Sequence, residues 1–402
     1  MPRPIVAAID MGYGHLRPAA ALAEHLGVPV LEIDRPPLGD GRDLAFWQRT
    51  RLFYEPLTRF SQLPGIGPAM RAVLNTITSI PSPWPVRDLS DPTPGTRWME
   101  RAARAGVGEA LARHLRETGA PLLTTFYAAA ILPELHGARR LHCLITDSDV
   151  NRVWAPPDAK FSEIIYFAPT DRTRRRMETY GVPSSRIRVT GYPLPDPLVG
   201  PGQEKIKKNF FSRMERLAGK GEAPLIVFAI GGAGAQVPLA RQLIGGMRRQ
   251  ILDGRLRLAL VAGRRAEVAS ALREALEAEG LAGHDGVELL SQPDVFSYFR
   301  AFNELLARAD ALWSKPSELT FFAALGIPFI GAPPVGVHEE WNLRWAADRG
   351  AALKQHDPAT AGEWLLEWVE DGLLAGAAEA GLKLPKMGLY EIAAEVRRAE
   401  AM

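Results

Sequence analysis

The sequence predicts an α/β protein built of two doubly wound, Rossmann-like domains facing each other across a cleft. Three observations carry this. Apolar runs of about six residues, each followed by a helical pattern, recur along the chain, as parallel β/α units do. The alternation pauses at "GYPLPDPLVGPGQEK", whose prolines and glycines can continue neither a helix nor a central strand. The length, 402 residues, is too great for one ordinary core and sets a working count of two domains.

In order, strands are expected at residues 5–10, 28–34, 121–126, 141–147, 164–168 and 187–192. After the Pro/Gly-rich linker the alternation restarts, with strands at 225–230, 257–262, 287–290, 311–313 and 329–331. The first domain is assigned 1–200 and the second 201–385, with the last helix, 386–402, a candidate to cross back to the first. The stretch 312–342, "LWSKPSELTFFAALGIPFIGAPPVGVHEEWN", reads as a strand, a Ser/Pro-opened helix, a tight Gly-Ile-Pro turn, a second strand and a polar loop. It is apolar throughout except at its two mouths. Either the mouths simply meet water, or both open onto one ligand, because open α/β sheets bind at the carboxyl ends of their strands.

A composition of 47% hydrophobic and 23% charged residues is that of a globular protein able to bury a large core. A formal charge of +2 gives no global field arguing for nucleic acid. The single cysteine, Cys143, lies in the apolar run "LHCLITD". It allows no intrachain disulfide, reads as a buried thiol, and fits a reducing cytosol. The start, "PIVAAID", shows neither a basic n-region nor a cleavage site, so no secretory signal is expected. The longest apolar stretches are cut by Pro, Gly or polar residues, so no membrane span is expected and any membrane contact would be peripheral.

Residues 43–89 break the rhythm with "AFWQRTRLFYEPLTRF" and "PSPWPVRDL". One reading is a helical insertion packed on the first domain. The other is an amphipathic surface docking a lipid or an apolar acceptor, on the inner face of a membrane. The basic runs "DRTRRRMETYG" and "KIKKNFFSRM" read as solvated helix faces, with attraction to anionic lipid left open.

Three loops could carry chemistry. In "AIDMGYGHLRPAAALAEHL", Gly12 and Gly14 sit between a strand and a helix, with His15 at the helix mouth. Glycines there serve a tight turn or the close approach of a ligand, and a histidine at a strand's carboxyl end can take a proton near neutral pH. The full dinucleotide fingerprint is absent, which disfavours a plain Rossmann dehydrogenase. In "LITDSDVNRVWAPPDA", Asp147 and Asp149 stand just past a strand end, either capping the turn or facing a ligand. They lack an accompanying His or Cys cluster, so no metal is expected. In "LIVFAIGGAGAQVPLA", Gly231, Gly232 and Gly234 lie between a strand and a helix, as a diphosphate cradled by amides would require. No Lys-Ser/Thr follows, so ATP hydrolysis is unsupported.

Taken in order, "GYGHLRPAAALAEHL", "ITDSDVNRVWAPPDA", "APTDRTRRRMETYGVPSSRIRVTGYPL", "IGGAGA" and the 312–342 stretch resemble landmarks of the GT-B glycosyltransferases. The likeness is to the family 28 branch that holds monogalactosyldiacylglycerol synthases, bacterial processive glucosyltransferases and the N-acetylglucosaminyltransferase that forms lipid II. It covers about residues 5–35 and 120–355. The resemblance implies an acceptor site in the first domain and a nucleotide-sugar site mainly in the second, with the sugar donor, UDP-linked, as co-substrate and no cofactor.

Residue by residue, the resemblance places His15 beside acceptor and donor sugar, Asp147 at the family's Thr-Asp aspartate, and Trp154 at its downstream tryptophan. Asn151 stands where the family usually has a histidine. Gly12, Gly14 and Asp149 complete the acceptor side. Gly231 to Gln236 match the diphosphate loop, Ser317 opens the donor helix, and His338, Glu339 and Asn342 fall on the donor-sugar residues. Where the family carries a ribose-binding glutamate this chain has Phe321, and Glu318, one turn earlier on nearly the same face, is the substitute acceptor. Lys315 could add positive charge at that mouth. The implied reaction is inverting hexosyl transfer to a hydroxyl acceptor, a lipid among the candidates, with His15 or Asp147 as base. Two alternatives stay open: a nucleotide-sugar epimerase or hydrolase on this fold, and a binding protein that has kept the site and lost transfer.

Overall fold

The computed structural model describes residues 2–10, 12–60, 79–231 and 234–400, the side chains of 51–60 and 400 excepted. The chain forms two compact units: Met1–Pro195 with Val335–Trp341 and Pro385–Met402, and Asp196–Pro334 with Asn342–Leu384.

The first unit holds a six-stranded sheet of β1 (Ile5–Ala8), β2 (Val30–Glu32), β3 (Leu122–Thr124), β4 (Leu141–Leu144), β5 (Ile165–Ala168) and β6 (Ile187–Val189). Its order is β2-β1-β3-β4-β5-β6 and every pairing is parallel. β1, β3 and β4 are buried at every position because helices cover both faces, which is why they read as unbroken apolar runs rather than as alternation. The chain steps from β1 to β2 on one side and returns to β3 on the other, so the switch point of this sheet lies between β1 and β3.

Helix Gly388–Glu400 packs against helix Tyr13–Leu26. Tyr390 sets its ring edge-on to His25 at 5.2 Å, and Arg397 donates to the His25 carbonyl at 3.1 Å. A Cβ at Gly388 would fall 2.4 Å from the Gly191 carbonyl oxygen, so only glycine lets the two backbones approach. Within 43–89, helix Gly41–Phe60 sends Trp47 into the core at 3% exposure, with Phe46 against it and stacked on Trp98. Trp84 and Val86 are exposed, and residues 61–78 lie outside the described residues. Among the described residues no helix is long and apolar enough to cross a membrane.

The second unit repeats the plan with β7 (Leu225–Ala229), β8 (Arg257–Gly263), β9 (Val287–Ser291), β10 (Ala311–Ser314), β11 (Phe329–Gly331) and β12 (Ala352–Lys354). The order is β12-β11-β10-β7-β8-β9, all parallel, with the switch point between β7 and β10. Trp313 on β10 is fully buried, edge-on to Phe228 at 5.5 Å and to Trp364 at 5.2 Å. Helix Glu204–Leu217 is riveted down by Arg213, 1% exposed, whose guanidinium donates to the Ala309 and Leu325 carbonyls. Burial pulls its pKa down to about 10.

One element departs from the sequence reading. The Ser317-opened helix is a 3₁₀ run, Glu318–Leu325, buried at all eight positions. The Ser317 side chain accepts from Leu319 N, and i→i+3 bonds at both ends (Thr320 N to Ser317 O, Gly326 N to Ala323 O) tighten it. Gly326, at φ 70°, then turns the chain into β11.

Candidate functional site

In the first unit, Gly12 adopts φ 126° and ψ 163°, a conformation essentially closed to other residues, and turns the chain from β1 into helix Tyr13–Leu26. That places His15 on the first turn, at the switch point. Thr125, just beyond β3, meets it reciprocally. The His15 ring Nδ1 lies 2.7 Å from the Thr125 carbonyl oxygen, and the Thr125 hydroxyl donates to the His15 carbonyl at 2.8 Å. A carbonyl can only accept, so Nδ1 carries the proton and the basic lone pair of the neutral ring falls on Nε2. Aromatic walls hold the ring, with Phe126 edge-on at 5.0 Å and Trp154 at 6.4 Å. Trp154 is itself 6% exposed and packs on Tyr127.

Asp147 lies half-buried three residues beyond β4. Its backbone carbonyl accepts from the Thr173 hydroxyl at 3.2 Å, and its Oδ2 is 3.5 Å from the Thr146 hydroxyl. Asn151 opens the short 3₁₀ turn Arg152–Trp154, and its buried Oδ1 has no hydrogen-bond partner among the described residues. An unmatched acceptor of that kind costs free energy unless something supplies a donor. The turn is shaped by Arg152, whose guanidinium donates to the carbonyls of Ser90, Ala155, Pro156 and Pro157.

Asp149, the acceptor-side candidate, is held in a network of charged hydrogen bonds. It is fully buried; Arg176 donates to both its oxygens at 2.7 and 3.0 Å, Arg172 to Oδ2 at 3.2 Å, and Val150 N to Oδ1 at 2.9 Å. Sequence reasoning passed over Thr125 and Phe126. Their one signal is a Thr-Thr-Phe run where the third strand ends.

In the second unit, the described residues of the loop after β7 bond to one another. Gly231 N donates to the Gln236 side-chain oxygen at 3.1 Å and Gly234 N to the Gly231 carbonyl at 2.8 Å, while Gly232 lies outside the described residues. The Ser314 hydroxyl on β10 donates to Ala229 O on β7 at 2.8 Å, tying the two strands together at their carboxyl ends. Glu318 is 6% exposed and Phe321 2%; in a 3₁₀ run residues three apart eclipse, so both occupy one face. Phe321 packs on Trp345 at 5.0 Å, an apolar partner that suits phenylalanine and would exclude a glutamate there.

His338 is exposed on the first turn of helix Val337–Ala347. Glu339, 2% exposed, accepts from Val335 N at 2.7 Å and closes its own loop. Asn342 is fully buried and donates to Pro316 O at 3.2 Å, bracing the chain between β10 and the 3₁₀ run. Among the described residues no three His, Cys, Asp or Glu side chains group to hold a metal ion. Cys143 is fully buried in β4, and burial pushes its thiol far above the ordinary range, which leaves it inert.

The fold has solved relatives. The crystal structure of Acinetobacter baumannii MurG matches with a TM-score of 0.55 at 14% identity, over 99% of this chain and 100% of that one. The chain has the GT-B fold. A Staphylococcus aureus MnaA–UDP structure matches this GT-B chain at TM-score 0.53 and 13% identity, over 98% and 95% of the two chains. A Listeria monocytogenes structure described as a putative UDP-N-acetylglucosamine 2-epimerase matches at 0.50 and 15%, over 77% and 81%. In sequence, this chain is 24% identical over 213 residues to a processive diacylglycerol beta-glucosyltransferase of Bacillus pumilus strain SAFR-032. That match covers 52% of this chain and 49% of the relative, so the chain spans about half the length of the curated relative it matches. Residues 182–285 also match a family described as a domain of unknown function (DUF6938).

Proposed function

We propose that this protein is a glycosyltransferase that moves a sugar from a UDP-linked donor to a hydroxyl acceptor, a lipid, by inverting displacement. The observation that carries the reading is His15. It stands at the switch point of its sheet, with Nδ1 bound to the Thr125 carbonyl and the basic lone pair directed to Nε2. Nε2, with Asp147 as the second candidate base, takes the acceptor hydroxyl's proton as that oxygen bonds to the anomeric carbon. The bond from that carbon to the diphosphate breaks, and the diphosphate leaves with the electron pair. Asn151 Oδ1, buried and unmatched, is suited to accept from an acceptor hydroxyl. The donor is assigned to the second unit, at the carboxyl ends of β7 and β10, and its stabilisation of the leaving group replaces any need for a metal. The likeness to a diacylglycerol glucosyltransferase supports a lipid acceptor and, with it, a peripheral place at a membrane.

Thermal shift against UDP, GDP, ADP and UDP-linked hexoses tests this. Stabilisation by UDP species is expected, and silence across the panel would overturn the reading. A second reading, epimerisation of the nucleotide-sugar, is favoured by the fold likeness to the Listeria structure. Incubation with UDP-N-acetylglucosamine and no acceptor separates the two, since only an epimerase would yield the 2-epimer.

A further inference from the structure

A cavity of about 1320 Å³ opens on the first unit beside helix Asp171–Thr179, and none of His15, Asp147, Asn151 or Trp154 lines it. It exceeds the roughly 300–1,000 Å³ that holds a drug-sized ligand, so it has room for several linked rings. One wall is the segment 81–90, pinned at both ends. Pro81 O accepts from Arg176 at 2.6 Å, Leu89 N donates to Thr179 O at 2.9 Å, and Ser90 O accepts from Arg152 at 2.8 Å. Between the pins residues 84–88 stand exposed, Trp84 at 64%. Arg172 lies over the Trp84 ring at 5.7 Å and is itself held by the buried Asp149 at 3.2 Å, so the indole is backed by a fixed cation. Asp158, Lys160 and Arg175, all exposed, also line the cavity. In all, five basic and six acidic residues line it, a formal balance of −1. Neither sign dominates, so a polyanion or an anionic membrane meets no field that would draw it in. An acyl chain would bury those charges against hydrocarbon, at high cost. What the lining offers is a set of planar donors and acceptors beside an aromatic face, which suits rings that carry neutral hydroxyls and present apolar C–H faces.

We propose that this cavity is an ancillary carbohydrate site that holds a neutral oligosaccharide, one ring stacked on Trp84 and its hydroxyls bonded by Arg175 and Asp158. The site uses neither His15 nor a nucleotide, and so goes beyond the transfer reading. It also gives the Asp149 network a purpose: by fixing Arg172 and Arg176, that carboxylate fixes the wall on which the sugar rests. The recognised chemistry is the same for a free oligosaccharide and for a sugar chain borne on a lipid.

Calorimetric titration of gluco-, galacto- and manno-tetrasaccharides into the wild type, Trp84→Ala, Trp84→Phe and Arg175→Ala tests it, with glucose, a heparin hexasaccharide and phosphatidylglycerol vesicles as comparisons and no UDP-hexose present. At least one neutral tetrasaccharide should bind the wild type about tenfold tighter than glucose does. Trp84→Ala and Arg175→Ala should each weaken it about threefold or more, and Trp84→Phe, which keeps an aromatic face, should recover part of the loss. Both positions are exposed, so melting temperatures should stay at the wild-type value. Micelles of a glycolipid bearing the same sugar chain tell the two sources apart: tighter binding than the free chain marks a lipid-borne ligand, and equal binding marks the oligosaccharide alone. No binding by any neutral glycan, equal binding in all four proteins, or binding by heparin or the vesicles alone overturns the inference. The transfer reading, which this titration does not touch, then stands; conversely, glycan binding that persists in a protein without transferase activity overturns that reading and leaves the site.

Discussion

At the scale of single residues the chain separates side chains that shape loops from those that can act. Asp149 belongs to the first kind. Removing it would leave Arg176, 4% exposed, as a buried charge without its carboxylate. Asp149→Ala should therefore cost about 3–5 kcal/mol of stability, read from denaturant midpoints, and Asp149→Asn should recover only part of it. His15 belongs to the second kind. His15→Ala should lower turnover about a hundredfold or more at little cost in donor affinity, and comparison with Asp147→Asn identifies the base. Equal activity in both variants would remove the proposed chemistry.

Glu318 stands between the two kinds. It shares a 3₁₀ face with Phe321 at the donor side of the unit, and as the ribose acceptor it should let the wild type discriminate UDP from its dideoxyribose analogue. Glu318→Gln should lose about ten- to a hundredfold of that discrimination. If both proteins discriminate alike, Glu318 is only a charge at the start of the 3₁₀ run.

At the scale of elements, the eleven strands expected from apolar runs are present, most of them shorter than the runs. The reason is visible at Ile9 and Ile145, fully buried residues that follow β1 and β4: burial extends past the ladder into the loops that line the switch points. β12 escaped notice because it is a three-residue edge strand with only Ala352 buried, too short and too polar for periodicity to mark. The 3₁₀ run was read as an α-helix because its apolar composition is the same in either case, and only the capping bonds decide. In the site, His15 and the glycines were legible as strand-to-helix loops. The hydrogen bonds of Asp149 and Asn342 were not, because their partners Arg176 and Pro316 are brought to them by the fold.

β4 also carries His142, 3% exposed, its Nδ1 donating to Leu122 O at 3.0 Å. Burial holds its pKa below the ordinary histidine value, so the unfolded chain binds a proton that the folded one resists. Stability should therefore fall as pH drops through about 6.5, the unfolded value, down to the depressed folded pKa. His142→Gln keeps a donor and removes the titration, so denaturation midpoints between pH 7 and the folded pKa should flatten, as far as this group sets the slope.

At the scale of the whole molecule, each unit is a parallel sheet whose switch point carries its polar residues: His15 and Thr125 beyond β1 and β3, Lys315 and the glycine loop beyond β10 and β7. This answers why the 312–342 stretch is apolar between polar mouths. Its interior is the core of the second sheet, and its first mouth is that sheet's switch point, while its second mouth is largely spent on internal bonds by Glu339 and Asn342. The measurement that bears most directly on the account is sugar transfer itself. The protein is incubated with a UDP-hexose and diacylglycerol in mixed micelles, and UDP and the acceptor's mass are followed together. UDP release should depend on acceptor and be matched mole for mole by an acceptor heavier by one hexose. UDP-hexose that binds yet yields neither product nor acceptor-dependent UDP, across lipid and soluble hydroxyl acceptors, would contradict it.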